Sequence, residues 1–169
     1  MSLTIRKITA PADIKKFVEF PFELYKNNRY WVPLIKMDEM RSLDPDKNPS
    51  FKYITSAFWL AERDGKVVGR IGAIIHHKSN EMNNEKLCRL TRFECIDDNE
   101  VAQLLFHTAE QFALDNGMEG IHGPLGFSNL DHQAVLVEGF EELPSVASEY
   151  HFPYYQTLFE KNGYTKQTD

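Results

Sequence analysis

No apolar run in this chain approaches the roughly 20 residues needed to cross a bilayer, and its first residues lack the basic-then-apolar order of an export signal. The expected compartment is therefore the cytoplasm, with no membrane partner. Cysteine is scarce: Cys88 and Cys95 are the only two, too few for a disulfide framework and without metal-ligand spacing. Seven residues apart on one continuous strand, they are expected on opposite faces, which argues against a bridge between them. Positive charge is in deficit. Nineteen Lys and Arg stand against 25 Asp and Glu, a formal net charge of -6, and the basic residues are dispersed. Phosphate contact needs a clustered positive field, so no nucleic-acid partner is expected. The chain also lacks internal repeats and low-complexity stretches.

What remains is ordinary globular composition, 42% hydrophobic and 26% charged over 169 residues, about one domain in length. Leu3 to Ile8 alternates as a first strand. Pro11-Ala12-Asp13 opens a helix that Pro21 should kink or split. Lys36 to Leu43 suggests a short helix, and Asp44 to Pro49 a loop. Ala57 to Ala61 and Lys66 to His77 form a hairpin around Asp64-Gly65, the dipeptide favoured in tight turns. A polar, exposed stretch, 80–86, leads to a strand from Leu87 to Ile96. The clearest helix starts at Asp97-Asp98-Asn99-Glu100, where Asp97 and Glu100 resemble a capping box. Its expected buried stripe is Val101, Leu104, Leu105, Thr108, Ala109 and Phe112, and Asn116-Gly117 ends it. Gly120 to Gly123 is a short strand. A long connection from Pro124 to Pro144 precedes a last helix from Pro153 to Gly163.

These elements meet a recognisable pattern at particular residues. Val67-Val68-Gly69-Arg70-Ile71-Gly72-Ala73 is similar to the central hairpin of the GNAT superfamily, the acyl-CoA N-acyltransferases. Leu158-Phe159-Glu160-Lys161-Asn162-Gly163-Tyr164 resembles that superfamily's late helix. Further segments resemble a branch of longer bacterial GNAT-like proteins: Phe20 to Tyr25, Tyr30 to Pro33, Lys47 to Pro49, Gly123-Pro124, Leu136 to Phe140 and Pro153 to Tyr155. The resemblance implies an α/β (α+β mixed) fold, a mixed, mostly antiparallel splayed sheet flanked by helices. It also implies that residues 1–169 form a single domain, the N-terminal part of a longer protein. Acetyl-CoA or another acyl-CoA would lie in the splay, with no metal, and a small-molecule amine would be the acceptor.

By the same resemblance the strand end Phe93-Glu94-Cys95-Ile96 would pair with the pantetheine arm, and the turn holding Asp98 and Asn99 would meet the pyrophosphate. Such a turn normally carries glycines whose N–H groups converge on the anion at a helix start. Here it has no glycine or arginine and carries three acids, so the phosphate loop is degenerate. Phe159 stands where the superfamily often places a tyrosine that returns a proton to the departing thiolate; Tyr154 or Tyr155, about one turn earlier, are the candidate replacements, or else they pack on the sheet. His122, near the expected splay, is a candidate general base. Asn129, Asp131 and His132 cluster in the long connection, where Asp131 is a second catalytic candidate and turn chemistry is the alternative. His76 and His77, adjacent on a strand, point to opposite faces and cannot share a metal. Trp31 and Trp59 are expected as packing anchors. Two functions follow: an acyl-CoA-dependent N-acyltransferase, or a non-catalytic GNAT-like domain that packs on or regulates a second such domain, or on a copy of itself.

Overall fold

A computed structural model describes residues 2–145 and 148–168. Five strands form one sheet in chain order: β1 (Leu3–Lys7), β2 (Ile54–Arg63), β3 (Lys66–His76), β4 (Leu87–Cys95) and β5 (Gly120–His122). The first four pair antiparallel, and β5 joins β4 in parallel over Leu87–Arg89 only. The sheet is therefore mixed, mostly antiparallel, and open beside the second half of β4. No helix among the described residues is long and apolar enough to cross a membrane.

Helices cover both faces. On one lie α4 (Asn99–Asp115) and α5 (Tyr154–Lys161); on the other lie α1 (Pro11–Leu24) and α2 (Lys36–Ser42), with α3 (His77–Asn83) between β3 and β4. Period-2 alternation sorts β2 and β3 between them. Trp59, Ala61, Ile71, Ala73 and Ile75 pack under α4, while Leu60 and Ile74 pack toward Phe17 and Val18 of α1. Covering on both sides explains why β3 is buried from Gly69 to Ile75 rather than alternately.

Several expectations shift. The first helix runs unbroken from Pro11 to Leu24 with Pro21 inside it. The stretch expected to be merely polar begins as α3. On α4 the cap is Asp98, not Asp97, and the buried stripe rotates to Val101, Ala102, Leu105, Phe106, Ala109 and Ala113, leaving Leu104, Thr108 and Phe112 half-buried. Cys88 and Cys95 fall in the same core cluster rather than on opposite faces, because β4, though continuous, is not regular. Its register slips opposite Arg70/Gly72, and Arg92 takes a left-handed φ of 51°. That one extra residue reverses side-chain parity, so Cys88 and Leu90 share their face with Phe93 and Cys95 while Glu94 points to the other.

Phe106 anchors the larger core, fully buried and stacked on Phe93 at 4.4 Å between centroids. Phe106→Ala should cost about 3–5 kcal/mol, read as a lower denaturant midpoint at unchanged slope.

Candidate functional site

The reversal at Arg92 delivers Glu94, 2% exposed, to the α1 side of the sheet. Its Oε2 accepts hydrogen bonds from the hydroxyls of Tyr25 (2.6 Å) and Tyr155 (2.5 Å), which lie 3.1 Å apart. Its Oε1 stands 3.9 Å from a terminal nitrogen of Arg70. Arg70 lies over the Phe17 ring and donates to the Phe17 carbonyl at 2.9 Å. Its Nε, also buried, has no hydrogen-bond partner. Glu94, Glu149 and His151 bring their donor atoms within 4.8 Å of one another. The Nδ1 of His151 accepts from the Leu136 amide at 3.3 Å. Beside them, Arg92 grips Glu39 with Nε and a terminal nitrogen (2.5 and 3.2 Å), and the Ser42 hydroxyl lies 3.2 Å from both partners.

Of these groups Glu39, Arg70, Glu94 and Glu149 border a cavity of about 30 Å³ whose wall also includes Trp31, Phe22, Tyr150 and His132. Burial sets its proton chemistry. It pushes the carboxyls of Glu94 and Glu149 up and holds the imidazole of His151 down. The tyrosines Tyr25 and Tyr155 are raised by burial and by the Glu94 carboxylate, so both stay protonated donors. Glu39 is the exception: burial opposes its charge, but the Arg92 guanidinium outweighs burial and holds it at about 2.

The open edge of β4 is the second feature. Cys95 directs both backbone groups away from β3. Its N–H donates to the Tyr155 hydroxyl at 3.2 Å, and its carbonyl accepts from the Tyr154 hydroxyl at 2.8 Å. Farther back, the Leu90 carbonyl accepts from the Leu125 amide at 2.8 Å. Just past the strand, Asp98 Oδ1 accepts from the amides of Glu100 (2.9 Å) and Val101 (3.4 Å) at the start of α4. Arg63 bridges Asp98 (2.6 Å) and Glu100 (2.7 Å) and keeps Asp98 ionised.

No family model matches the chain. Among curated proteins it is 30% identical over 165 residues to Protein YghO of Escherichia coli, a match covering 98% of the chain and 42% of that protein. It is 29% identical over 168 residues to the bacterial ceramide synthase of Caulobacter vibrioides, covering 99% and 44%. The chain thus spans less than half the length of these relatives. Among solved structures it superposes on a tandem GNAT protein of the clavulanic acid pathway with TM-score 0.61 at 12% identity, covering 96% of the chain and 43% of that protein. It also superposes on glucosamine-6-phosphate N-acetyltransferase of Arabidopsis thaliana (TM-score 0.58, 11% identity, 100% and 95% covered). A Clostridium acetobutylicum structure with acetyl-CoA, described as a predicted acetyltransferase, gives the same TM-score of 0.58 (11% identity, 98% and 92%). The chain has the GNAT fold.

Within the GNAT fold, the residues singled out in the sequence fall into several places. Glu94, Cys95, Tyr154 and Tyr155 come together at the splay. Phe93 packs into the core, and Ile96 pairs its amide with the Val68 carbonyl at 3.1 Å. Asp98 caps α4, and Asn99 accepts from Asn162 at 3.1 Å. His122 and Asp131 lie apart from this group. His122 is half-buried opposite Arg89 at the paired end of β4, its pKa pulled down by burial and then by Arg89. Asp131 closes a local turn by accepting from the Ser128 amide at 3.1 Å. Sequence reasoning missed Tyr25, Glu39, Arg70, Arg92, Glu149 and His151. Arg70 alone left a signal: a lone charge inside an apolar strand needs a buried counter-charge.

Glu39 gives a clear pH signature. Its folded pKa of about 2 lies below the ordinary 4.5, so its stabilisation is present above pH about 4.5 and is lost as pH falls toward 2. The shift corresponds to about 3 kcal/mol. Glu39→Gln should flatten that acid limb, and at neutral pH it should cost about 3–5 kcal/mol by leaving Arg92 buried without its partner. Denaturant titrations from pH 7 to 2 measure both.

Proposed function

We propose that this GNAT-fold domain is one of two in an acyl-CoA-dependent N-acyltransferase, its N-terminal part, and that it does not itself hold the thioester. The observation that carries the second half is at Cys95. A pantetheine arm lying along β4 would need the strand's outward backbone groups, and Tyr154 and Tyr155 already bond both of those at Cys95. Electrostatics at the next turn agree. An anion at a helix start is stabilised by free amides and the positive end of the dipole. At α4 the Asp98 carboxylate occupies those amides, and with Asp97 and Glu100 it leaves three acids against the single Arg63. A diphosphate placed there would be repelled. This supports the reading of the turn as a degenerate phosphate loop.

The two-domain part is supported by coverage. The chain matches 42% and 44% of the length of its two relatives and 43% of a tandem GNAT protein. The acyl-transfer part is supported by the fold and by one relative's name. A ceramide is the amide of a fatty acid and a long-chain amino alcohol, so a ceramide synthase forms an N-acyl bond. In this reading a small-molecule amine is the acceptor, acyl-CoA the donor, and the domain described contributes its buried polar cavity rather than a nucleotide cradle.

Calorimetric melting of the 169-residue chain with millimolar acetyl-CoA or CoA tests the proposal. A ligand at 100 times its Kd adds about 2.7 kcal/mol. The expected result is no shift for this chain, with acyl transfer to an amine by the full-length reading frame that contains it. Stabilisation by CoA, or thioester turnover by the 169-residue chain alone, would overturn it.

A further inference from the structure

The helix α2 is built inside out. An ordinary surface helix turns its apolar side to the core. Here the residue turned inward is Glu39, clamped by Arg92, and the Ser42 hydroxyl closes that clamp. The methionines face outward, Met37 at 62% exposure and Met40 at 39%. The segment leading into the helix repeats the pattern. Val32, Pro33, Leu34 and Ile35 are four consecutive apolar residues, all exposed, with Ile35 at 67%. Five of the eleven large exposed hydrophobic residues among the described residues fall between Val32 and Met40, and the other six are spread from Tyr53 to Leu143. Scattered apolar residues need no partner, but a cluster of this kind marks a contact surface.

Both ends of the stretch are anchored, so its exposure does not come from slack. Trp31 stacks on the Tyr25 ring at 5.2 Å between centroids and meets Phe22 edge-on at 5.1 Å. Glu39 is tied through Arg92 to β4. Between these anchors residues 32–38 are exposed without interruption.

Charge selects the partner. The chain as a whole carries -6, yet the exposed charges on this face are mostly positive. Arg29, Lys36 and Arg41 are exposed, and Lys36 lies 4.2 Å from the centroid of the Phe22 ring. From 29 to 41 the only acids are Asp38 and Glu39, and Arg92 already neutralises Glu39. A second copy of this face would set the same cations against one another, because a two-fold contact pairs a patch with itself. An anionic lipid surface meets both halves of the pattern. Aliphatic side chains enter between headgroups, and each nearby Lys or Arg is drawn to the lipid phosphates. Trp31 to Ile35 form neither helix nor strand, and loop amides have no partner in hydrocarbon, so the contact stays at headgroup depth.

We infer that the stretch from Val32 to Arg41 docks this domain on an anionic bilayer. The expected absence of a membrane partner rested on spanning segments, and a peripheral contact requires none. The inference is independent of the acyl-transfer reading, since docking is measured with neither acyl donor nor acceptor present.

Flotation of the 169-residue chain tests it, with vesicles of phosphatidylcholine alone and of equal parts phosphatidylcholine and phosphatidylglycerol. The chain is expected to float only with the anionic vesicles. Ile35→Glu with Met37→Glu should abolish flotation at an unchanged melting temperature, because both side chains are exposed. Lys36→Gln with Arg41→Gln should weaken it about thirtyfold, about fivefold for each cation. Leu114→Glu, exposed on α4 across the sheet, should float as the unmodified chain does. Failure to float, equal flotation with both vesicles, or no loss in the Ile35 and Met37 variant would overturn the inference. Flotation of the 169-residue chain but not of the full-length reading frame that contains it would also overturn it, in favour of an interface between domains. A dimer in sedimentation equilibrium that the same variant dissociates would overturn it in favour of an interface between copies. The comparison of vesicles needs only the unmodified chain, so it stands even where a variant does not fold.

Discussion

The fold turns on one residue of backbone. At Arg92 the β4 strand enters the left-handed region at φ 51°, a conformation that costs a non-glycine residue about 1–3 kcal/mol. The guanidinium of the same residue is clamped by Glu39 and Ser42 from α2, so the helix over the sheet opposes that cost. The result is a change of parity halfway along a strand. Apolar residues before and after the bulge both reach the α4 core, and a glutamate that would have joined them is sent to the α1 side. Without the bulge, Glu94 would lie in the company of Cys88 and Leu90, where no partner waits for a carboxylate.

Two kinds of interior follow from that arrangement. Under α4 and α5 the packing is almost wholly apolar, with aromatic rings from Phe93, Phe106, Phe159 and Tyr164 meeting edge to face, stacked or tilted. Around Glu94 the packing is polar and only partly satisfied: raised carboxyls, a donor without a partner, and a small void. A chain selected for stability alone would fill such a region with hydrocarbon, since replacing buried ions by apolar groups of similar volume is often neutral or stabilising. Unspent polarity of this kind is more common where a protein meets a ligand.

The splay and the start of α4 lie at the far end of the same strand, and there the chain satisfies itself. Hydroxyls from α5 bond the outward amide and carbonyl of Cys95, and a carboxylate fills the helix start. The tyrosine Tyr155 links the two regions, because its single hydroxyl accepts from the Cys95 amide and donates to Glu94. A disturbance at the groove is therefore felt directly at the polar cavity.

Much of this could be read before any coordinates. Alternation and turn residues located the strands and the Asp64-Gly65 hairpin, and the order of elements pointed to the GNAT fold. The acidic helix start was visible as well, because capping is a matter of residues three apart in sequence. Glu94, Cys95, Tyr154 and Tyr155 were singled out, but Glu94 only for its backbone. The remaining site residues come from places far apart in the chain: Tyr25 after α1, Glu39 on α2, Arg70 on β3, and Glu149 and His151 before α5. Local pattern determines which face a residue takes only while the strand stays regular. Once a single left-handed residue reverses the parity, which charges become neighbours is settled by packing across the sheet, and only the tertiary structure contains that.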